Sequence, residues 1–200
     1  MISKSYGDHR AQTATPSVTL AERPEQALFH LAVSVETDSA SAAIPLLRRA
    51  VTRLEELLPP LGARLTVTDF DLPAATGKTA TAVSQLHAFL TLPFVKDAPF
   101  WDRAARLAQV DGLLRALVLE GKKQKPALEV RSDLPVFVVA DPEQRRASLV
   151  SRLHERARSL GHDVTLKELR FDRAVEQRSV SLEEVQLSLA VEGVAEVALR

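Results

Sequence analysis

The sequence contains no cysteine, which excludes disulfides, thiolate catalysis and cysteine-ligated zinc or iron–sulfur centres and leaves the redox compartment open. It has no excess of either charge, with 26 Lys+Arg against 26 Asp+Glu, and aromatics make up only 4%. A balanced charge gives no global field to gather nucleic acid or an anionic membrane, and so few aromatics rule against a basic stacking platform. Long hydrophobic runs are missing as well: no segment approaches the ~18 apolar residues of a membrane-spanning helix. The opening "MISKSYGDHRAQTATPSVTL" lacks the apolar core of a signal peptide. As given, the chain reads as cytoplasmic, or as periplasmic if a leader has been removed.

What is present is apolar pattern. Hydrophobic residues make up 46% of the 200, enough for one large domain or two small ones. Residues 1–16 are polar and without period, which reads as a flexible N-terminal arm. In "LFHLAVSVE" Leu31, Val33 and Val35 alternate with Ala32, Ser34 and Glu36, a strand with one buried face. Ile44, Leu47, Val51, Leu54 and Leu58 then recur at helical spacing up to Pro59-Pro60 and Gly62. In "RLTVTDFDL" the apolar phase flips between Leu65/Val67 and Phe70/Leu72, as a β-bulge near Thr68 requires. A further strand covers 84–94. A second helix is signalled by Pro99, Phe100, Leu107, Leu114 and Leu117, with Gly121 as its stop and a break possible at Gly112.

"LPVFVVA" reads as a short central strand covered on both faces. In "ADPEQ" Asp141 caps a third helix, with Pro142 at its first position and Gln144 completing a capping box; Val150, Leu153, Ala157 and Leu160 form its stripe. Two strands follow, about 163–172 and 179–191. "VTRLEELLPPLGARLTV" (51–67) and "VSRLHERARSLGHDVTL" (150–166) align without a gap at an offset of 99, which points to a duplication. The predicted fold is therefore α+β: two βαββ units, about 28–94 and 134–192, joined by a helical segment at about 98–121, with helices packed on mixed, mainly antiparallel sheets.

Motifs with chemistry are few. Gly77-Lys78-Thr79 in "DLPAATGKTATAV" resembles the tail of a phosphate-binding loop, but Leu72 stands where the first glycine belongs and Pro73 removes a donor. The alternation at 85–92 that follows makes a strand rather than a phosphate-facing helix, so the stretch reads as a hairpin loop. Lys122, Lys123 and Lys125 follow an apolar helix, where they suit the negative end of its dipole. Asp69 and Asp71 share a strand face, either as an exposed face or as ligands for a hard cation. Of His9, His30, His87, His154 and His162, no two have metal-ligand spacing, so no metal or other cofactor is expected. His30 and His87 lie on neighbouring strands and can face each other in a core or interface hydrogen bond. No GxSxG occurs, and Ser39, Ser41, Ser179 and Ser181 fall at a helix start or on a strand. Trp101 and Phe100 either pack the second helix on the sheet or form a pocket or partner contact.

The stretches "ERPEQALFHLAVSVETDSASAA", "LGARLTVTDFDL" and "VVADPEQRRASLVSRLHERARSLG" resemble the SIMPL domain family, over roughly residues 17–192. The resemblance implies a single SIMPL-like domain at 17–200 in a bacterial protein, of a family whose members are mostly exported and some of which form large ring-like oligomers. It supplies no catalytic residues. The function expected on these grounds is a non-enzymatic oligomeric structural or protein-interaction protein, a homo-oligomer with a possible protein partner and no nucleic acid or membrane span. The alternative is a small-molecule-binding protein or enzyme with a cleft between the two halves, lined by His30, His87, Trp101 and Phe100.

Overall fold

In the computed structural model, which describes residues 17–71, 81–159, 164–170, 174–190 and 192–197, the alternation at 31–35 is the middle of a twelve-residue strand. The elements are β1 (Ser17–Glu22), β2 (Gln26–Thr37), α1 (Ala40–Leu57), β3 (Arg64–Asp71), β4 (Ala82–Pro93), α2 (Phe100–Lys122), β5 (Leu128–Ser132), β6 (Val136–Val138), α3 (Arg146–Ser159), β7 (Val164–Arg170), β8 (Glu176–Ser181), β9 (Glu184–Ala190) and β10 (Glu192–Val197). The fold is α+β. The pairings β2–β4, β2–β5, β2–β6, β3–β4 and β7–β10 are all antiparallel. Two compact units are present, one made of Ala21–Ala140 with Gln177–Gln186, the other of Met1–Leu20, Asp141–Glu176 and Leu187–Arg200.

The larger unit is organised on β2. Along one edge β2 pairs with β4 from Gln26↔Pro93 to Thr37↔Ala82; it also pairs with β6 at Gln26–Leu28 and with β5 at Leu31–Val35. The sheet order β3-β4-β2-β5, reached through β2-α1-β3-β4-α2-β5, is the ferredoxin-like split βαβ arrangement. Ala27, Phe29, Leu31, Leu90 and Leu92 pack with Leu54 and Leu58 of α1 and its exit and with Val110, Leu114 and Leu117 of α2. Further along, Val33, Val35, Leu86 and Ala88 pack with Ala43, Leu47, Leu128 and Val130. Both helices thus cover one side of the sheet, the side that the period-2 pattern marks as apolar.

The local signals act as their chemistry dictates. Ser39 caps α1 by accepting from Ala42 N, and after the 3-10 turn Pro59–Leu61 the chain reverses at Gly62, φ +67°, a left-handed conformation that costs a Cβ-free residue least. The phase flip at Thr68 is a register shift between Val67 and Asp69. Lys122 lies in the last turn of α2 and Lys123 is its C-cap.

Three expectations about the strands and helices of this unit are revised. The helical segment at 98–121 is no bridge between two βαββ halves; α2 is a core helix of the larger unit, because a strand overlooked in the sequence, β5, follows it and pairs with β2. β5 escapes notice because Leu128 and Val130 are its only buried positions and Glu129, Arg131 and Ser132 are exposed. The strand in "LPVFVVA" lies beside β2 outside the main strand order, with Val136 half exposed, rather than central and doubly covered. Finally, α2 runs through Gly112 and Gly121 without a break: Gly121 is there because Leu128 O lies 2.4 Å from where a Cβ would stand, whereas nothing lies within 4 Å at Gly112.

In the smaller unit, Asp141 accepts from Glu143 N and from Gln144 Nε2, so the predicted cap forms, but it opens a 3-10 turn, Pro142–Arg145, before α3. Among the described residues of α3 the buried ones are Leu149 and Leu153: Leu153 is buried as expected, Leu149 takes the place of the expected Val150, and the expected Leu160 lies outside the described residues. Glu143 accepts from Arg146 Nε at 2.6 Å and from Val175 N at 2.7 Å, and the arginine bond first, then the amide, holds its carboxyl below the usual range. In the larger unit, the stretch expected as one strand at 179–191 is divided at Leu182-Glu183, where Ser181 Oγ accepts from Glu183 N. In strand order β9 stands between β1 and β8; in the smaller unit β7 pairs with β10 through a shift at Val194/Ala195. Among the described residues, no helix is long and apolar enough to cross a membrane.

The two glycines of α2 make opposite predictions. Gly121→Ala is expected to destabilise by about 1–3 kcal/mol through overpacking against Leu128 O, and Gly112→Ala to stabilise by up to about 1 kcal/mol through helix propensity; urea denaturation of both variants checks the pair.

Candidate functional site

Opposite residues of an antiparallel pair share a face, so the registers define the sheet side away from the helices. It carries His30, Ala32 and Ser34 of β2, His87 and Phe89 of β4, and Asp69 and Asp71 of β3. His30 and His87 sit diagonally across the strands with their rings stacked, centroids 5.3 Å apart and 15° between planes. Phe89 tilts against His30 at 5.5 Å. His87 Nδ1 lies 3.3 Å from His30 Nε2, and His30 Nδ1 lies 3.1 Å from Asp133 Oδ2, with Asp133 N donating to His30 O. When His30 Nδ1–H donates to the carboxylate, His30 Nε2 accepts from His87 Nδ1–H, and His87 Nε2 keeps its lone pair. The hydrogen bond expected between the two histidines is therefore present, on a half-exposed sheet face, and Asp133 is the third member that the sequence reading missed.

Asp69 stands opposite His87 and Asp71 opposite Gln85, while Phe70 turns to the helix side opposite Leu86. Asp69 Oδ1 is engaged locally, accepting from Phe70 N at 2.7 Å. No group of three or more His, Asp or Glu side chains is placed to hold a metal ion among the described residues. Gly77-Lys78-Thr79, His9 and His162 lie outside the described residues.

Phe100 and Trp101 contact each other edge to face at 5.1 Å and neither histidine. Trp101 is 77% exposed, so the pair does not pack α2 on the sheet. The buried face of α2 runs through 103, 110, 114, 117 and 121, and its first member is an arginine, invisible to a search for apolar period. Arg103 is 2% exposed. Its Nη1 donates to Pro24 O and Leu182 O, its Nε donates to Ala98 O, and its guanidinium lies 5.0 Å over the Phe94 ring. Burial pulls its pKa below the ordinary arginine value, with the Arg23 charge adding to the effect and Glu183 and Asp97 opposing it; an arginine stays protonated throughout. Nearby, Arg23 bonds Glu183 at 2.8 Å and Ala98 O at 3.0 Å. The buried cation thus ties the β1–β2, β4–α2 and β8–β9 connections together.

Two other surfaces bear on function. A recess of about 140 Å³ opens between α1 and α2, floored by Leu54, Leu117 and Val130 and rimmed by Arg49, Arg53 and Glu120; none of the four residues expected to line a pocket lines it. β3 is the other. It ends the sheet order, β4 is the only strand it pairs with among the described residues, and every residue of it except Leu65 is exposed, including Val67 at 45% and Phe70 at 37%.

No protein-family profile matches the chain, and no curated protein matches it. The crystal structure of an amidase of the hydantoinase/carbamoylase family from Burkholderia phymatum is similar over 72% of this chain at 18% identity, with a TM-score of 0.34. The chain spans 37% of that protein's length. A likeness at that level carries no functional argument.

Arg103 and Trp101, two positions apart, are expected to separate cleanly. Arg103→Met leaves the Pro24 and Leu182 carbonyls without their donor and costs about 2–4 kcal/mol, whereas Trp101→Ala changes stability by no more than about 0.5 kcal/mol. Thermal unfolding of both variants measures this, and iodide should quench the single tryptophan of the native protein readily.

Proposed function

We propose that this chain is a non-enzymatic oligomeric protein that acts through its surfaces, with β3 as the principal contact. The observation that supports this is the exposed edge: eight residues of extended backbone with one strand neighbour among the described residues, carrying Val67 and Phe70 open to solvent. Such an edge is a template for another chain. The Thr68 bulge and the charged Arg64, Asp69 and Asp71 are the devices by which natural edges refuse indiscriminate pairing, so the edge selects its partner. The resemblance to the SIMPL domain family carries the same expectation of homo-oligomers.

Light scattering on a size-exclusion column at two protein concentrations tests the reading. A discrete species well above 21.9 kDa at both concentrations is the expected result; a strict monomer overturns it.

A further inference from the structure

We propose that β3 pairs antiparallel with β3 of a second copy of this chain, about a two-fold axis between Val67 and Thr68. This rests on the oligomeric reading above and specifies its partner and register. The register follows from which side of the sheet each residue occupies. Through their pairing with Leu90, Ala88 and Leu86, Leu65, Val67 and Phe70 lie on the helix side; through Thr91, Phe89, His87 and Gln85, Arg64, Thr66, Asp69 and Asp71 lie on the other. In an unbroken strand, residues 65 and 70 would point to opposite sides, as would 64 and 71, because side chains alternate with period 2. The extra residue at Thr68 brings each pair back to one side.

A two-fold antiparallel pair sets same-side residues opposite one another. With the axis between Val67 and Thr68, Arg64 faces the second copy's Asp71, Leu65 faces its Phe70, and Thr66 faces its Asp69. Each of these three contacts is chemically matched and occurs twice, and at the axis Val67 meets the second copy's Thr68. Arginine meets carboxylate on the histidine side, leucine meets phenylalanine on the helix side, and a threonine hydroxyl meets a carboxylate. Shifting the register by one residue sets an apolar residue on one side against a charged residue on the other. Shifting it by two separates Arg64 from Asp71. Phe70 N–H, held by the Asp69 carboxylate in the single chain, passes to the carbonyl of Leu65 in the second copy, since residues of a hydrogen-bonded pair exchange both main-chain bonds. The result is a continuous sheet running through both molecules.

The experiment is a charge swap on the full chain. Arg64→Asp and Asp71→Arg each place like charges opposite one another twice, and each is expected to raise the dimer dissociation constant by about tenfold or more. The double variant restores the pairs in reverse and should return to within about threefold of the wild type; sedimentation equilibrium reads all four proteins. Both residues are exposed, and circular dichroism confirms that each variant is folded. Because the chain has no cysteine, an equimolar mixture of Thr66→Cys and Asp69→Cys chains should also give a covalent dimer containing one of each on mild oxidation. If the protein is oligomeric but single reversals leave its mass distribution unchanged, or the double variant fails to recover, the register is overturned and the oligomeric reading stands. A monomeric wild type overturns both.

Discussion

The twelve-residue pairing of β2 with β4 is the constraint on which the larger unit depends. Because it runs without a shift from Gln26↔Pro93 to Thr37↔Ala82, alternate residues of both strands are committed to one face over their full length. That face takes the helices: Phe29, Leu31 and Leu90 meet α2 and the end of α1, while Val33, Val35 and Leu86 meet its start. A slip of one residue would turn this whole apolar set outward. The same register places His30 diagonal to His87, and among the described residues β3 ends the strand order beyond β4.

Arg103 complements that alignment at the sheet's end. Three connections that share no secondary structure, at Pro24, Ala98 and Leu182, converge on one guanidinium. Loop carbonyls brought this close need a donor, and the buried Arg103 supplies it. A planar fork with five N–H groups and a permanent charge meets that need better than a lysine, and the Phe94 ring takes its open face. Cation, carbonyls and aromatic ring together do at this corner what apolar packing does under the sheet.

Much of this was legible along the chain, because its cause is local. The α+β class, the caps at Ser39 and Asp141, the turn at Gly62 and the bulge at Thr68 each follow from a few adjacent residues and a period of 2 or 3.6. The histidine pair was half legible: its strands were evident, but Asp133 lies 103 residues from His30, and no sequence period links them. β5 and the role of α2 were hidden for a related reason. A five-residue strand with two buried positions shows no period of its own and becomes a strand only by pairing with β2.

What the sequence by itself determined is the set of local choices: which segments extend, which coil, where each stops, and that the phase of β3 flips at Thr68. Only the tertiary structure decided that the segment around α2 completes a βαββαβ unit, that Arg103 rather than Trp101 enters the core, and that β3 is left at an edge. The division has a physical reason. Caps, turns and side-chain alternation are settled between residues a few bonds apart. Strand order, the partner of a buried charge and the identity of an exposed edge are settled by which distant segments compete best for the same face of β2 and the same edge of β4.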